Sequence, residues 1–151
     1  TENLPAVAGF AAALEAAVAE VAAGTWDEVK KVRTVLEKTL EAGAPEIIFV
    51  GKSGARLPNT SCFAVPGWKG ETQVMQMDLA GYAVSAGSAC SSGKVTASRA
   101  LGAMGFDAAT AGSALRVSLG PDTTEAEIAG FAAAWLAQFE KHRARAARNV
   151  A

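Results

Sequence analysis

The stretch SALRVSLGPDTTEAEIAGF, residues 113–131, passes from one periodicity to another. From Ala114 to Leu119 the apolar and polar positions alternate, as in a half-buried strand. Successive side chains on a strand point to opposite faces, so Arg116 is expected to face away from Leu115 and Val117. Gly120-Pro121 ends the run. Thr124 and Glu127 then fit a capping box, in which each side chain satisfies a free backbone donor of a new helix. Ile128, Phe131, Trp135 and Phe139 form the apolar stripe of that helix.

Upstream, the elements follow from the same two periods. Val7, Phe10, Leu14, Val18 and Val21 recur in steps of three and four, predicting a helix closed by Gly24. Trp26, Val29, Val32, Leu36 and Leu40 predict a second, stopped at Gly43 with Pro45 beyond. Ile47 to Val50 is a short β-rich run between Pro45 and Gly51, and Thr60 to Val65 suits a second strand ended by Pro66-Gly67. Thr72 to Leu79 reads as a helix, Tyr82 to Ser85 as a brief strand, Ala86 to Gly93 as a loop, and Thr96 to Met104 as a helix stopped by Gly105. Two helices, then mixed strands and helices, predict an α+β fold with a small, largely antiparallel sheet packed with helices. No fixed-period repeat or linker divides residues 1–151, which are expected to form one domain.

With 151 residues, half of them hydrophobic and 19% charged, the chain is long and apolar enough to bury a core. A net charge of −1 provides no global positive field for nucleic acid. The basic tail Lys141, His142, Arg143, Arg145 and Arg148 complements the negative end of a terminal helix, and His142 is expected to face solvent. The Ala-rich opening is interrupted by Glu15 and Glu20 and lacks a basic start, so a soluble helix and no membrane contact are expected. Two cysteines permit at most one disulfide, and a reducing, cytoplasmic setting is the expectation.

The two thiols differ in their surroundings. Cys62, flanked by Phe63 in an apolar strand, reads as a small structural hydrophobe. Cys90 lies among Gly87, Ser88, Ala89, Ser91, Ser92 and Gly93, which do not bury it, and Lys94 can favour its thiolate. The residues alone fit a nucleophile or a passive surface thiol equally. Neither Gly93-Lys94 nor Gly51-Lys52-Ser53 completes a phosphate loop, because Ser88 and Glu46 occupy the places of the required first glycine. The Cys and His spacing suits no metal site.

SAGSACSSGKVTASRALGAMG at 85–105, followed by SALRVSLG and TTEAEI, resembles the nucleophile region of NifS-type cysteine desulfurases of the class V aminotransferase family. The match extends to LPNT at 57–60 and TENLP at 1–5. The resemblance implies the C-terminal small domain of a fold-type I pyridoxal-phosphate enzyme. It makes Cys90 the nucleophile that takes sulfur from L-cysteine, leaving L-alanine and an enzyme persulfide. It makes Arg116 the ligand of the substrate carboxylate, although a surface salt bridge would also suit an arginine on a strand. Thr1 corresponds to a threonine that reaches the cofactor phosphate of the opposite subunit in the family's dimers.

The resemblance further implies a homodimer and a sulfur acceptor or iron-sulfur scaffold as partner. The family's cofactor lysine, the histidine stacked on the cofactor and the aspartate at its ring nitrogen belong to a large domain upstream of Thr1. Pyridoxal phosphate is therefore expected to be bound mainly by that domain, and residues 1–151 alone are expected to be inactive. Two alternatives share these features. One is a selenocysteine lyase or related pyridoxal enzyme, and the other is a non-enzymatic persulfide relay or interaction module.

Overall fold

The computed structural model describes residues 2–86 and 98–148. Two helices of 19 residues come first, α1 (Leu4–Ala22) and α2 (Thr25–Gly43). They are joined through Gly24, whose φ of 75° is a left-handed conformation that a residue without Cβ adopts at little cost. There follow β1 (Ile48–Phe49), β2 (Thr60–Ala64), α3 (Gly70–Leu79), β3 (Ser85–Ala86), α4 (Arg99–Ala103), α5 (Ala108–Gly112), β4 (Ala114–Ser118) and α6 (Glu125–Arg148). The strands form one antiparallel sheet in the order β1-β2-β4-β3. This is the α+β architecture that the residue patterns predict.

One face of the sheet carries the main core. Phe63 and Leu115 are fully buried there beneath α2 and α6, with Leu36, Leu40, Trp135 and Phe139. Trp135 meets Phe63 edge-on, with ring centroids 5.4 Å apart, and stacks on Phe139 at 5.5 Å. A buried amide ties three elements together. Gln73 of α3 donates to the carbonyls of Trp68 and Ser113, both at 2.9 Å, and accepts from the indole N–H of Trp135 at 3.0 Å. Its side chain is thereby satisfied at both ends, as burial requires. The predicted capping box of α6 is formed: Thr124 Oγ1 accepts from the Glu127 N–H, and Glu127 accepts from the Thr124 N–H.

A second fastening lies at the β2 end of α2. The Glu37 carboxylate accepts two bonds from the Arg56 guanidinium, at 2.8 and 3.0 Å, and one from Ser61 Oγ at 2.8 Å. Arg33, one turn earlier, donates to the carbonyl of Leu57. Burial alone would raise the pKa of Glu37. The bonds from Arg56 and Ser61 and the charges of Arg56 and Arg33 outweigh it, so the carboxyl is held below its ordinary value. This network holds the segment before β2 against α2.

Several boundaries differ from the sequence reading. β1 keeps only Ile48–Phe49, and β3 begins at Ser85 because Tyr82 packs edge-on against Phe131 of α6 at 5.5 Å. α3 starts two residues early, at Gly70. α5, absent from the sequence reading, is a single turn whose N-cap Asp107 accepts from the N–H groups of Ala109 and Thr110. His142 is not solvated but half-buried, stacked on Trp68 with centroids 5.3 Å apart. Burial depresses its pKa, against the opposing charge of Glu46.

α1 stands outside both cores. The helix forms as predicted, yet none of its residues is buried, and Val7, Phe10, Leu14, Val18 and Val21 are all exposed. By length and composition, with a mean hydropathy of 1.6 in its most apolar window, it could also cross a membrane. By length and composition the helix thus fits a membrane-crossing segment as well as the soluble helix expected from Glu15, Glu20 and the lack of a basic start.

Candidate functional site

The second face of the sheet changes character along its strands. Cross-strand partners in an antiparallel sheet share a face, so Ala64 and Ala114 lie together, as do Cys62 and Arg116, and Thr60 and Ser118. At the alanine end this face is closed. Ala64, Ala114 and Val50 pack with Leu101 of α4 and Ala111 of α5 in a separate small core. Among the described residues the cover ends before Arg116, which is exposed, and the remaining positions toward Thr60 and Ser118 carry hydroxyls.

Arg116 is thus on a central strand, flanked by Cys62 of β2 on one side and Ser85 of β3 on the other. Its direction away from Leu115 and Val117, expected from the alternation, is observed: both neighbours are buried and Arg116 is not. Thr60, Cys62, Ser85 and Ser118 around it are neutral and small. Among the described residues no carboxylate lies within ion-pair distance of Arg116, whereas Arg33 and Arg56 are both engaged with Glu37. A planar cation with paired donors, without an acid beside it among the described residues, is suited to receiving an external carboxylate.

Cys62, read from the sequence as a small structural hydrophobe, packs against the small core of the second face. Phe63 is fully buried in the main core, but the strand alternation turns Cys62 to the other face, half-buried and opposite Arg116. Burial pushes its thiol pKa up, and the nearby charge of Arg116 offsets this only in part. Cys62 is accordingly held neutral, which is unsuited to nucleophilic attack. The signal that could have located it was the pairing of the two strands: once TSCFA and ALRVS are aligned antiparallel, Cys62 meets Arg116.

Of the other predicted site residues, Cys90 and Thr1 lie outside the described residues, as does Lys94. The structure therefore assigns no geometry to the nucleophile. It does place Ala86, paired with Leu115, beside Arg116 in the sheet. Every described lysine is exposed, and among the described residues no group of three Cys, His, Asp or Glu side chains could hold a metal ion.

With this arrangement in view, the chain was compared with known proteins. The family model for aminotransferase class-V matches residues 1–131. The chain belongs to this family. A cysteine desulfurase of Cereibacter sphaeroides is 40% identical over 128 residues, which cover 85% of this chain and 32% of that protein. A cysteine desulfurase IscS of Clostridium botulinum is 34% identical over 130 residues, with the same coverage. Among solved structures, a NifS-like protein from Rickettsia africae superposes with a TM-score of 0.79 at 30% identity, over 95% of this chain and 35% of that one. The chain spans about a third of the length of these relatives. This class V member thus has cysteine desulfurases among its relatives and shares the fold of NifS-like proteins.

Proposed function

We propose that residues 1–151 form the C-terminal small domain of a pyridoxal-phosphate-dependent cysteine desulfurase, in which Arg116 binds the substrate carboxylate and Cys90 accepts the sulfur. The observation that carries this reading is the setting of Arg116: an exposed arginine, on a central strand, at the point where the cover that the described residues give its face ends. Class V membership and the desulfurase relatives say what such an arginine would serve.

The described residues do not fit a cofactor cradle. They present no buried lysine, and no acid lies among the residues around Arg116. In this reading the cofactor is held by a larger, upstream part of the polypeptide, with Thr1 contributing to the phosphate site of the opposite subunit in a homodimer. The bare apolar stripe of α1 supports such a division, since an exposed helix face of this kind calls for a covering surface.

The residues of this chain then have two tasks. Arg116 fixes the carboxylate and thereby the direction of the substrate's Cβ–S bond. Cys90 forms a new S–S bond to the substrate sulfur while the Cβ–S bond breaks. Carbon retains that electron pair and takes up a proton, so L-cysteine and a thiol yield L-alanine and a persulfide without an external oxidant. We assign the persulfide to iron-sulfur cluster or other sulfur-transfer biosynthesis, a role that the IscS relatives suggest, and place the enzyme in the cytoplasm.

The test is desulfurase activity with L-cysteine and pyridoxal phosphate, for this chain alone and for the full-length polypeptide. Activity is expected only in the full-length protein and is lost in Cys90→Ala. Turnover by the isolated chain, or persistence of persulfide formation in Cys90→Ala, would refute the assignment.

A further inference from the structure

We infer that Cys62 is a positioning residue for Arg116: the small, uncharged side chain directly across the β2–β4 register leaves room beside the guanidinium and offers it no competing carboxylate. The inference rests on the reading of Arg116 as the carboxylate ligand and adds the determinant of its availability.

Three observations lead to it. Cys62 and Arg116 are direct cross-strand partners, so their Cβ atoms are about 4.5–5.5 Å apart and the long side chain must pass the short one. Cys62 is also fixed from below. Its carbonyl accepts from the Val50 N–H at 2.8 Å, and the side chain packs against the small core of Val50, Ala64, Leu101, Ala111 and Ala114. A larger residue at this position could not sink into that core and would displace Arg116 instead. On the other flank, the partner is Ser85, again a small side chain. Arg56 shows the contrary arrangement, for where Glu37 is within reach its guanidinium donates both of its bonds to that carboxylate.

The test uses full-length enzyme carrying Cys62→Leu, Cys62→Ser or Arg116→Ala, with melting temperatures recorded for each. Binding is measured for L-alanine and for cysteamine, which lacks the carboxylate, through their perturbation of the cofactor absorbance. Cys62→Leu is expected to weaken L-alanine binding and to raise KM for L-cysteine about three- to fivefold, the size of a strong cross-strand effect, while cysteamine binding is unchanged. Cys62→Ser, which preserves size, is expected to restore the affinity for L-alanine.

Equal losses for L-alanine and cysteamine would mark a general distortion and overturn the inference, as would wild-type affinity for both in Cys62→Leu. Arg116→Ala separates the two levels. If it leaves L-alanine affinity intact, the carboxylate assignment itself is wrong. If it removes the preference for the carboxylate while Cys62→Leu does not affect it, only the role of Cys62 falls. Should Cys62→Leu fail to fold, Cys62→Val with the same pair of ligands decides.

Discussion

Replacing Glu37 by Gln tests the fastening of β2 to α2 most directly. The carboxylate is buried, its side chain only 7% exposed, and it takes two bonds from Arg56 and one from Ser61. The amide keeps the shape but removes the charge and replaces one acceptor with a donor facing a guanidinium. Breaking a buried pair in this way costs about 3–5 kcal/mol when the remaining charge is fully enclosed. Arg56 retains 17% exposure and can recruit some water, so about 3 kcal/mol is the expected loss. For a chain of this size that corresponds to a fall in Tm of about 6–12 °C. Thermal unfolding of the chain followed by circular dichroism reads it.

The pH dependence gives a second, independent handle on the same carboxylate. Its folded pKa is depressed below the ordinary value of about 4.3, so its contribution is complete above that value and is lost as pH falls through the lower folded value. The difference in Tm between wild type and Glu37→Gln should therefore be constant near neutrality and shrink below about pH 4. Arg56→Gln combined with Glu37→Gln should cost less than the two single losses added, because each single variant already breaks the pair. A shift under about 2 °C, strict additivity, or a gap unchanged between pH 7 and pH 3 would refute the argument.

Two further outcomes follow from packing. A Cβ at Gly70 would stand 2.7 Å from the carbonyl oxygen of Ala114 and 3.0 Å from the Ala86 side chain, and backbone cannot yield as a side-chain tip can. Gly70→Ala should thus lower Tm despite the higher helix propensity of alanine, and an unchanged or raised Tm would contradict the close approach. On α1, Phe10→Glu and Leu14→Glu alter only exposed positions, so the Tm of the isolated chain should be unaffected, while association with the proposed upstream domain, measured by calorimetry, should weaken. Unchanged association would remove α1 from the domain interface.

The elements were largely legible because each is announced by a local physical signal. The alternation in ALRVS placed β4 and the face of Arg116, and the Thr124–Glu127 box placed the start of α6. What remained illegible required knowing what lies opposite. α5 is only one turn long, too short for a periodic stripe, and its capping Asp107 has meaning only once the turn is seen. His142 sits in a basic tail whose charge pattern says solvent, yet Trp68, 74 positions earlier, covers its ring.

Cys62 and α1 show the same limit from opposite sides. The apolar neighbours of Cys62 mark it as a small structural thiol, but alternation sends adjacent residues to opposite faces, and only pairing with β4 reveals that its face is the one bearing Arg116. In α1 the period correctly identified an apolar stripe, yet nothing among the described residues covers it. Periodicity reports which face of an element avoids water, not whether the covering partner belongs to the same piece of chain. Where the stripe is bare and the chain spans only a third of its relatives' length, the bare face is the place to look for the missing partner.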